Sequence, residues 1–82
     1  MKIEKFNDLI SSGFDVSFNY QDVFYTISCG EMDGRTLYFL GDENYNENSH
    51  FVNIEEINKY KIKNQKRIKE IIENLRDEEI YY

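Results

Sequence analysis

Proline and tryptophan are absent from this chain of 82 residues, and cysteine and histidine occur once each. A single cysteine, Cys29, excludes an intramolecular disulfide, so the fold has no covalent staple. Without a signal-peptide pattern as well, the expected compartment is a reducing cytoplasm. One cysteine and one histidine, His50, also exclude the paired ligand spacing of a zinc site. No apolar run approaches the ~18 residues a membrane-spanning helix needs, so no membrane partner is expected. The four glycines build no phosphate-cradling loop and no serine nucleophile elbow. The loop Asp42–Asn48 offers oxygen ligands, but it lacks the central glycine and the closing glutamate of a calcium loop. No cofactor, metal or catalytic group is therefore expected. The one nucleophile–base pair the composition allows is Cys29 with His50, and inward packing of Cys29 is the simpler reading.

What the chain does have is aromatic residues and charge. At this length it forms one domain, residues 1–82, which buries only roughly 60–65% of its unfolded surface. Seven tyrosines and six phenylalanines offset the thin core, because each buries a large area. A hydrophobic fraction of 40% is enough to fold. The charge is laid out in three blocks. Residues 1–58 hold eleven acids and three bases, residues 59–69 six bases and no acid, and residues 70–82 five acids and one base, for a net −6. Such a layout is informative about partners rather than about fold.

The hydrophobic pattern changes period along the chain. Ile3, Phe6, Leu9 and Ile10 recur at helical spacing over residues 2–12, and Gly13 is a natural stop. Phe14, Val16, Phe18 and Tyr20 then alternate with polar residues, as in a strand with one wet face. Gln21-Asp22 suits a tight turn, and a second strand follows from Val23 to Cys29. Gly30 to Gly34 contains the turn dipeptide Asp33-Gly34, and a third strand covers Arg35 to Leu40. Residues 41–50 read as an exposed acidic loop. Asn53 with Glu56 forms a helix-capping pair, and Ile54 and Ile57 face inward. Tyr60 to Lys63 alternates, which breaks the helix; Asn64 then caps a helix over residues 65–76 with the stripe Ile68, Ile71, Ile72 and Leu75. One helix over residues 54–76 is the alternative. The last residues form either a frayed tail or a short edge strand.

The expected fold is α+β: a three-stranded antiparallel meander covered on one face by an N-terminal helix and one or two C-terminal helices. Strand three is apolar on both faces, so either Leu37 with Phe39 or Tyr38 with Leu40 points away from the helices. That pair is either open to a partner or covered by the loop or tail.

Two resemblances bear on function. The richness in Lys, Asn, Ile, Tyr and Glu is typical of an AT-rich bacterial or phage genome. The stretch Asp15 to Ile27 resembles a hairpin common in small uncharacterised proteins of low-GC Gram-positive bacteria and their phages, in which an acidic residue precedes Phe-x-Tyr, a Gly turn and Tyr-x-Ile. Phe18, Tyr20, Tyr25 and Ile27 match, and Asp22 stands where that family usually has Gly. The resemblance implies a fold and no activity. The order of elements and the acidic surface are also similar to small anti-CRISPR proteins, some of which occupy the DNA-binding face of a type II CRISPR nuclease with carboxylates in place of phosphates. No residue motif carries that likeness, so it implies no site residues.

From the residues themselves, the candidate partner-binding set is acidic and aromatic. It comprises Glu31 and Asp33 in the second turn, Asp42, Glu43, Tyr45 and Glu47 in the long loop, and Asp77, Glu78, Glu79, Tyr81 and Tyr82 in the tail. Spaced carboxylates suit a basic protein surface, such as that of a CRISPR nuclease or another nucleic-acid-handling enzyme, and otherwise keep a small protein soluble. The leading expectation is thus a non-enzymatic inhibitor acting by nucleic-acid mimicry, as monomer or homodimer. The alternatives are an assembly module that self-associates or docks through its sheet, and a nucleic-acid-binding module using Lys59, Lys61, Lys63, Lys66, Arg67 and Lys69. Net −6 opposes the last.

Overall fold

Two-residue turns set the centre of this structure. In the computed structural model, which describes all 82 residues from Met1 to Tyr82, helix α1 (Ile3–Ser11) leads into strands β1 (Val16–Tyr20), β2 (Val23–Met32) and β3 (Arg35–Asp42). β1 and β2 are joined by Gln21-Asp22, with φ of 52° and 64°. β2 and β3 are joined by Asp33-Gly34, with φ of 54° and 75°. Positive φ at both central residues is the twist that lets a two-residue loop join antiparallel strands. The second turn is tighter than the sequence suggests. β2 runs on through Met32, which pairs with Arg35, so Glu31 and Met32 are strand rather than loop and only Asp33-Gly34 turns.

α1 ends as expected. Gly13, at φ 91°, donates to the Ile10 carbonyl at 3.0 Å, and Phe14 donates to the Leu9 carbonyl at 3.0 Å. These two bonds satisfy carbonyls that a helix end leaves open. Phe6 and Ile10 are fully buried, with Ile3 and Leu9 packed beside them.

The acidic stretch after β3 is only half loop. Residues 43–47 turn, and Asn48–Phe51 return as strand β4 beside β3. Helix α2 (Ile54–Lys59) follows, and Asn53 Oδ1 accepts the Glu56 N–H at 2.9 Å. Glu56 Oε1 reaches back to the Val52 N–H at 2.8 Å, one residue beyond the expected partner. The alternating Lys61-Ile62 is extended as inferred, as strand β5 (Lys61–Ile62) paired with β6 (Lys66–Arg67). Asn64 therefore caps no helix; it lies at φ 56° in the hairpin turn, and helix α3 spans only Ile68–Asn74. A 3-10 turn at Asp77–Glu79 leads to strand β7 (Ile80–Tyr81), so the tail is an edge strand.

The fold is α+β, with a five-stranded antiparallel sheet in the order β4-β3-β2-β1-β7 and helices from both ends of the chain. The central meander is as expected; the two outer strands enlarge it. Every buried residue of this five-stranded sheet lies on one face: Val16, Phe18, Tyr25, Ile27, Leu40, Phe51 and Ile80. Against them pack Phe6, Ile10, Ile57, Ile62, Ile68, Ile71 and Ile72 from the other layer. No polar or charged side chain is buried. The Phe18 and Tyr25 rings stack with centroids 5.8 Å apart.

A non-glycine residue at positive φ costs about 1–2 kcal/mol, partly returned in Gly by its greater unfolded freedom. Asp22→Gly is therefore expected to stabilise the fold by about 0.5–1 kcal/mol, read from urea unfolding. A second expectation concerns alkali. Burial raises the phenol pKa of Tyr25, and the Asp42 and Glu47 carboxylates add to it. An acid whose folded pKa is raised contributes stability that is complete below its unfolded value of about 10 and is lost as pH rises through the folded value. Stability should fall above pH ~10, and less steeply in Tyr25→Phe.

Candidate functional site

The helices cover one face of the sheet, and the other face has no layer over it. That face carries Ser17 and Asn19 from β1, then Phe24, Thr26, Ser28, Gly30 and Met32 from β2. β3 adds Arg35, Leu37, Phe39 and Gly41; β4 adds Asn48 and His50; and β7 adds Tyr81. Arg35 is the only Lys, Arg, Asp or Glu among these strand positions, in a chain that is 32% charged. A solvated sheet face normally alternates toward charged residues. Here the centre is apolar and flanked by small side chains. Phe24, Leu37 and Phe39 are half-buried, Met32 is 54% exposed and Tyr81 55% exposed.

Local packing shapes this face. The Tyr81 ring reaches across β1 to lie 5.7 Å from that of Phe24. Tyr81 is paired in register with Ser17, whose Oγ hydrogen-bonds Thr26 Oγ1 at 2.8 Å. The Phe39 ring leans over Gly30, and a Cβ at Gly30 would meet Phe39 Cε2 at 3.5 Å. Between Phe24 and Phe39 lies a shallow trough of about 310 Å³, floored by Thr26 and Gly41 and closed at one end by Glu43. The open pair of strand three is thus Leu37 with Phe39, while Tyr38 and Leu40 point into the helical layer. Neither the acidic loop nor the tail covers it. Phe24 was not singled out from sequence, although Val23-Phe24-Tyr25 carries the same signal as strand three: consecutive large apolar residues must place one on each face.

The acidic candidates occupy three separate places. Glu31 and Asp33 sit at the tip of the β2–β3 hairpin, exposed. Asp42, Glu43 and Glu47 lie at the opposite end of β3, roughly 20 Å away at ~3.3 Å per residue. Each of these three is engaged locally. Asp42 Oδ1 accepts the Asn44 and Asn46 N–H groups at 3.1 and 2.8 Å. Glu43 Oε1 accepts the Phe24 N–H at 3.1 Å. Glu47 accepts the Tyr60 hydroxyl at 3.0 Å and the Ser49 hydroxyl. Tyr45, 93% exposed at φ 59°, stands at the loop tip. In the tail, Asp77 pairs with Lys5 at 2.9 Å, and Arg76 Nε lies 3.6 Å from Glu78 and 3.2 Å from Glu79. Tyr81 and Tyr82 point to opposite faces, since Tyr82 sits under Lys5.

The basic band is also divided. Lys61 and Lys63 line a groove with Asp42 and Glu47, whereas Lys59, Arg67 and Lys69 line a cleft of about 410 Å³ with Glu55, Glu70 and Glu73. Arg67 is paired with Glu70 at 2.8 Å, and the cleft has no apolar wall to desolvate a ligand. Cys29 lies on the helix-covered side of the sheet and His50 on the other, so the two do not form a nucleophile–base pair. No cluster of three or more His, Cys, Asp and Glu residues is placed to hold a metal ion. No helix is long and apolar enough to cross a membrane.

The fold and this face define an α+β protein with a bare sheet face whose strands carry one charged residue, Arg35. No family model, curated protein or solved structure matches the chain.

The tail pairing has a pH signature. The hydrogen bond from Lys5 holds the Asp77 carboxyl below its ordinary pKa, and the Arg76 N–H and guanidinium do the same for Glu79. A lowered carboxylate pKa contributes stability that is present above the unfolded value and lost as pH falls through the folded one. Asp77→Asn should lose less stability than the wild type on acidification below pH ~4. The difference should shrink in high salt, because both partners are exposed. Urea midpoints measured down to pH ~2.5, at low and high salt, check this.

Proposed function

We propose that this chain is a non-enzymatic binding protein that docks to a basic protein partner through the uncovered face of its sheet. The observation that carries it is how little charge that face holds. Thirty-two per cent of the residues are charged, yet Phe24, Leu37, Phe39 and Tyr81 share a surface whose strands contribute one cation, Arg35. A contiguous apolar patch rimmed by polar groups is the usual mark of a protein contact. The partner is basic because the rest of the molecule is acidic, with Glu43 at one end of the trough and Glu31 and Asp33 at the hairpin tip. Such a field steers a cationic partner, whereas apolar contact supplies the anchor. A second copy is the poorer occupant, because docking two faces brings together two chains of net −6.

An inhibitor of a nucleic-acid-handling enzyme, of the anti-CRISPR kind, belongs to the same class of acidic binding protein. Its support is the net charge and the exposed Glu31, Asp33 and Tyr45. Division of the carboxylates among three places gives a phosphate-like array no single surface, and docking through the sheet does not need one.

Gly41→Lys tests the proposal without disturbing the core. Gly41 has ordinary strand geometry, and an added Cβ meets only the Glu47 carbonyl oxygen at 3.8 Å. Immobilised wild type should capture a partner from lysate of the producing cell. Gly41→Lys and Phe39→Asp should each reduce capture at least tenfold, with cooperative unfolding retained. A complex that survives both substitutions but disappears in about 0.5 M salt places the contact on the carboxylates instead and overturns the docking face.

A further inference from the structure

The β2–β3 hairpin outruns the rest of the sheet. β1 begins at Val16, opposite Ile27, so nothing pairs with the far side of β2 from Ser28 to Met32. β4 ends at Phe51, opposite Tyr38, so β3 is likewise bare beyond that point. Residues 31–36 are all exposed. The result is a two-stranded arm with open edges, projecting roughly 15 Å past β1 at ~3.3 Å per residue.

The register fixes which backbone groups lie open. A two-residue loop closes on the hydrogen-bonded pair Met32 and Arg35, so Gly30 and Ser28 also bond to β3. The alternate residues, Cys29 and Glu31, turn their N–H and C=O groups the other way. Above them on β2, Tyr25 and Ile27 bond to β1 in the same sense, but Cys29 and Glu31 have no strand to meet. No other backbone or side-chain hydrogen bond reaches them. Natural edges are usually blunted by charged side chains, proline or a bulge. This one carries a single charge, Glu31, and neither proline nor bulge, and its register with β3 is continuous from Tyr25 to Met32.

We infer that the free edge of β2 from Ser28 to Met32 receives an extended segment of the basic partner, which adds as a further strand. The inference rests on the docking proposed above and specifies its mode. Two features select the occupant. Along the edge, Glu31 and Asp33 lie at the outer end, and Asp15 precedes the first residue of β1 at the inner end, which favours lysine or arginine. On the uncovered face, Gly30 has no side chain, so apolar residues of an added strand can reach Leu37 and Phe39 behind it. The fitting segment therefore alternates apolar residues, set on the uncovered face, with basic residues set beside Glu31. This is strand addition to a sheet edge, with main-chain bonds giving affinity and alternate side chains giving specificity.

The probe is an acetylated, amidated peptide, Val-Lys-Val-Lys-Val, titrated into full-length protein. At millimolar peptide, amide exchange should slow at Cys29 and Glu31 and their NMR signals should shift. Glu31→Pro keeps the β3 ladder, because the Glu31 N–H does not bond to β3, yet it removes one edge donor. It should weaken binding at least tenfold. Glu31→Gln keeps the donor and should weaken binding only by roughly twofold to fivefold, at low salt. The same peptide with glutamate in place of lysine should bind more weakly than either. Unchanged Cys29 and Glu31 amides, full binding by Glu31→Pro, or equal binding of the glutamate peptide each overturn the inference. Loss of the cellular partner in Gly41→Lys but not in Glu31→Pro overturns strand addition while leaving the docking face intact.

Discussion

A sheet has two faces, and this chain has helix enough for one. Its three α-helices are of nine, six and seven residues. They supply one layer, and that layer is spent on the face bearing Val16, Phe18, Tyr25, Ile27, Leu40, Phe51 and Ile80. Strands alternate their side chains by geometry, so burying that set fixes the opposite set at the surface. Phe24, Leu37 and Phe39 are the consequence. They cannot turn inward without moving Tyr25, Tyr38 and Leu40 outward. The bare face is therefore tied to the same register that builds the core.

Charge plays a more local part than the net −6 suggests. Asp42 ties down its own loop, Glu43 the start of β2, Glu47 the Tyr60 hydroxyl, Glu56 the entry to α2, and Asp77 the Lys5 ammonium. Hydrogen bonds of this kind order short segments that have little apolar surface of their own. What remains is a diffuse negative field around a face whose strands carry one charge, Arg35. The field influences which partners approach, and the face determines how closely they fit.

The central elements were legible because their signals are local. Alternation around Phe18 and Tyr20, the dipeptides Gln21-Asp22 and Asp33-Gly34, the stop at Gly13 and the cap at Asn53 each depend on residues within a few positions. The outer elements were not legible in the same way. β4 reads Asn-Ser-His-Phe, with no strand pattern, and exists because β3 offers it an edge. β7 is two residues held by Ser17 and Phe18, from the far end of the chain. The β5–β6 ladder displaced the start of α3 to Ile68 because Ile62 is buried as a strand residue. Charge blocks were legible as composition but not as surfaces. Residues 31 to 47 are neighbours in sequence, yet a hairpin sends their acids to opposite ends of the sheet.

The amino-acid sequence by itself determined a small α+β domain, its central turns, and the fact that strand three must show an apolar pair to one side. Only the tertiary structure decided that the pair is Leu37 with Phe39, that Phe24 and Tyr81 join them, and that the hairpin carrying Glu31 projects with a free edge. Periodicity shows that a strand has two faces. Which face is covered, and where its neighbours stop, depends on pairing between residues distant in the chain.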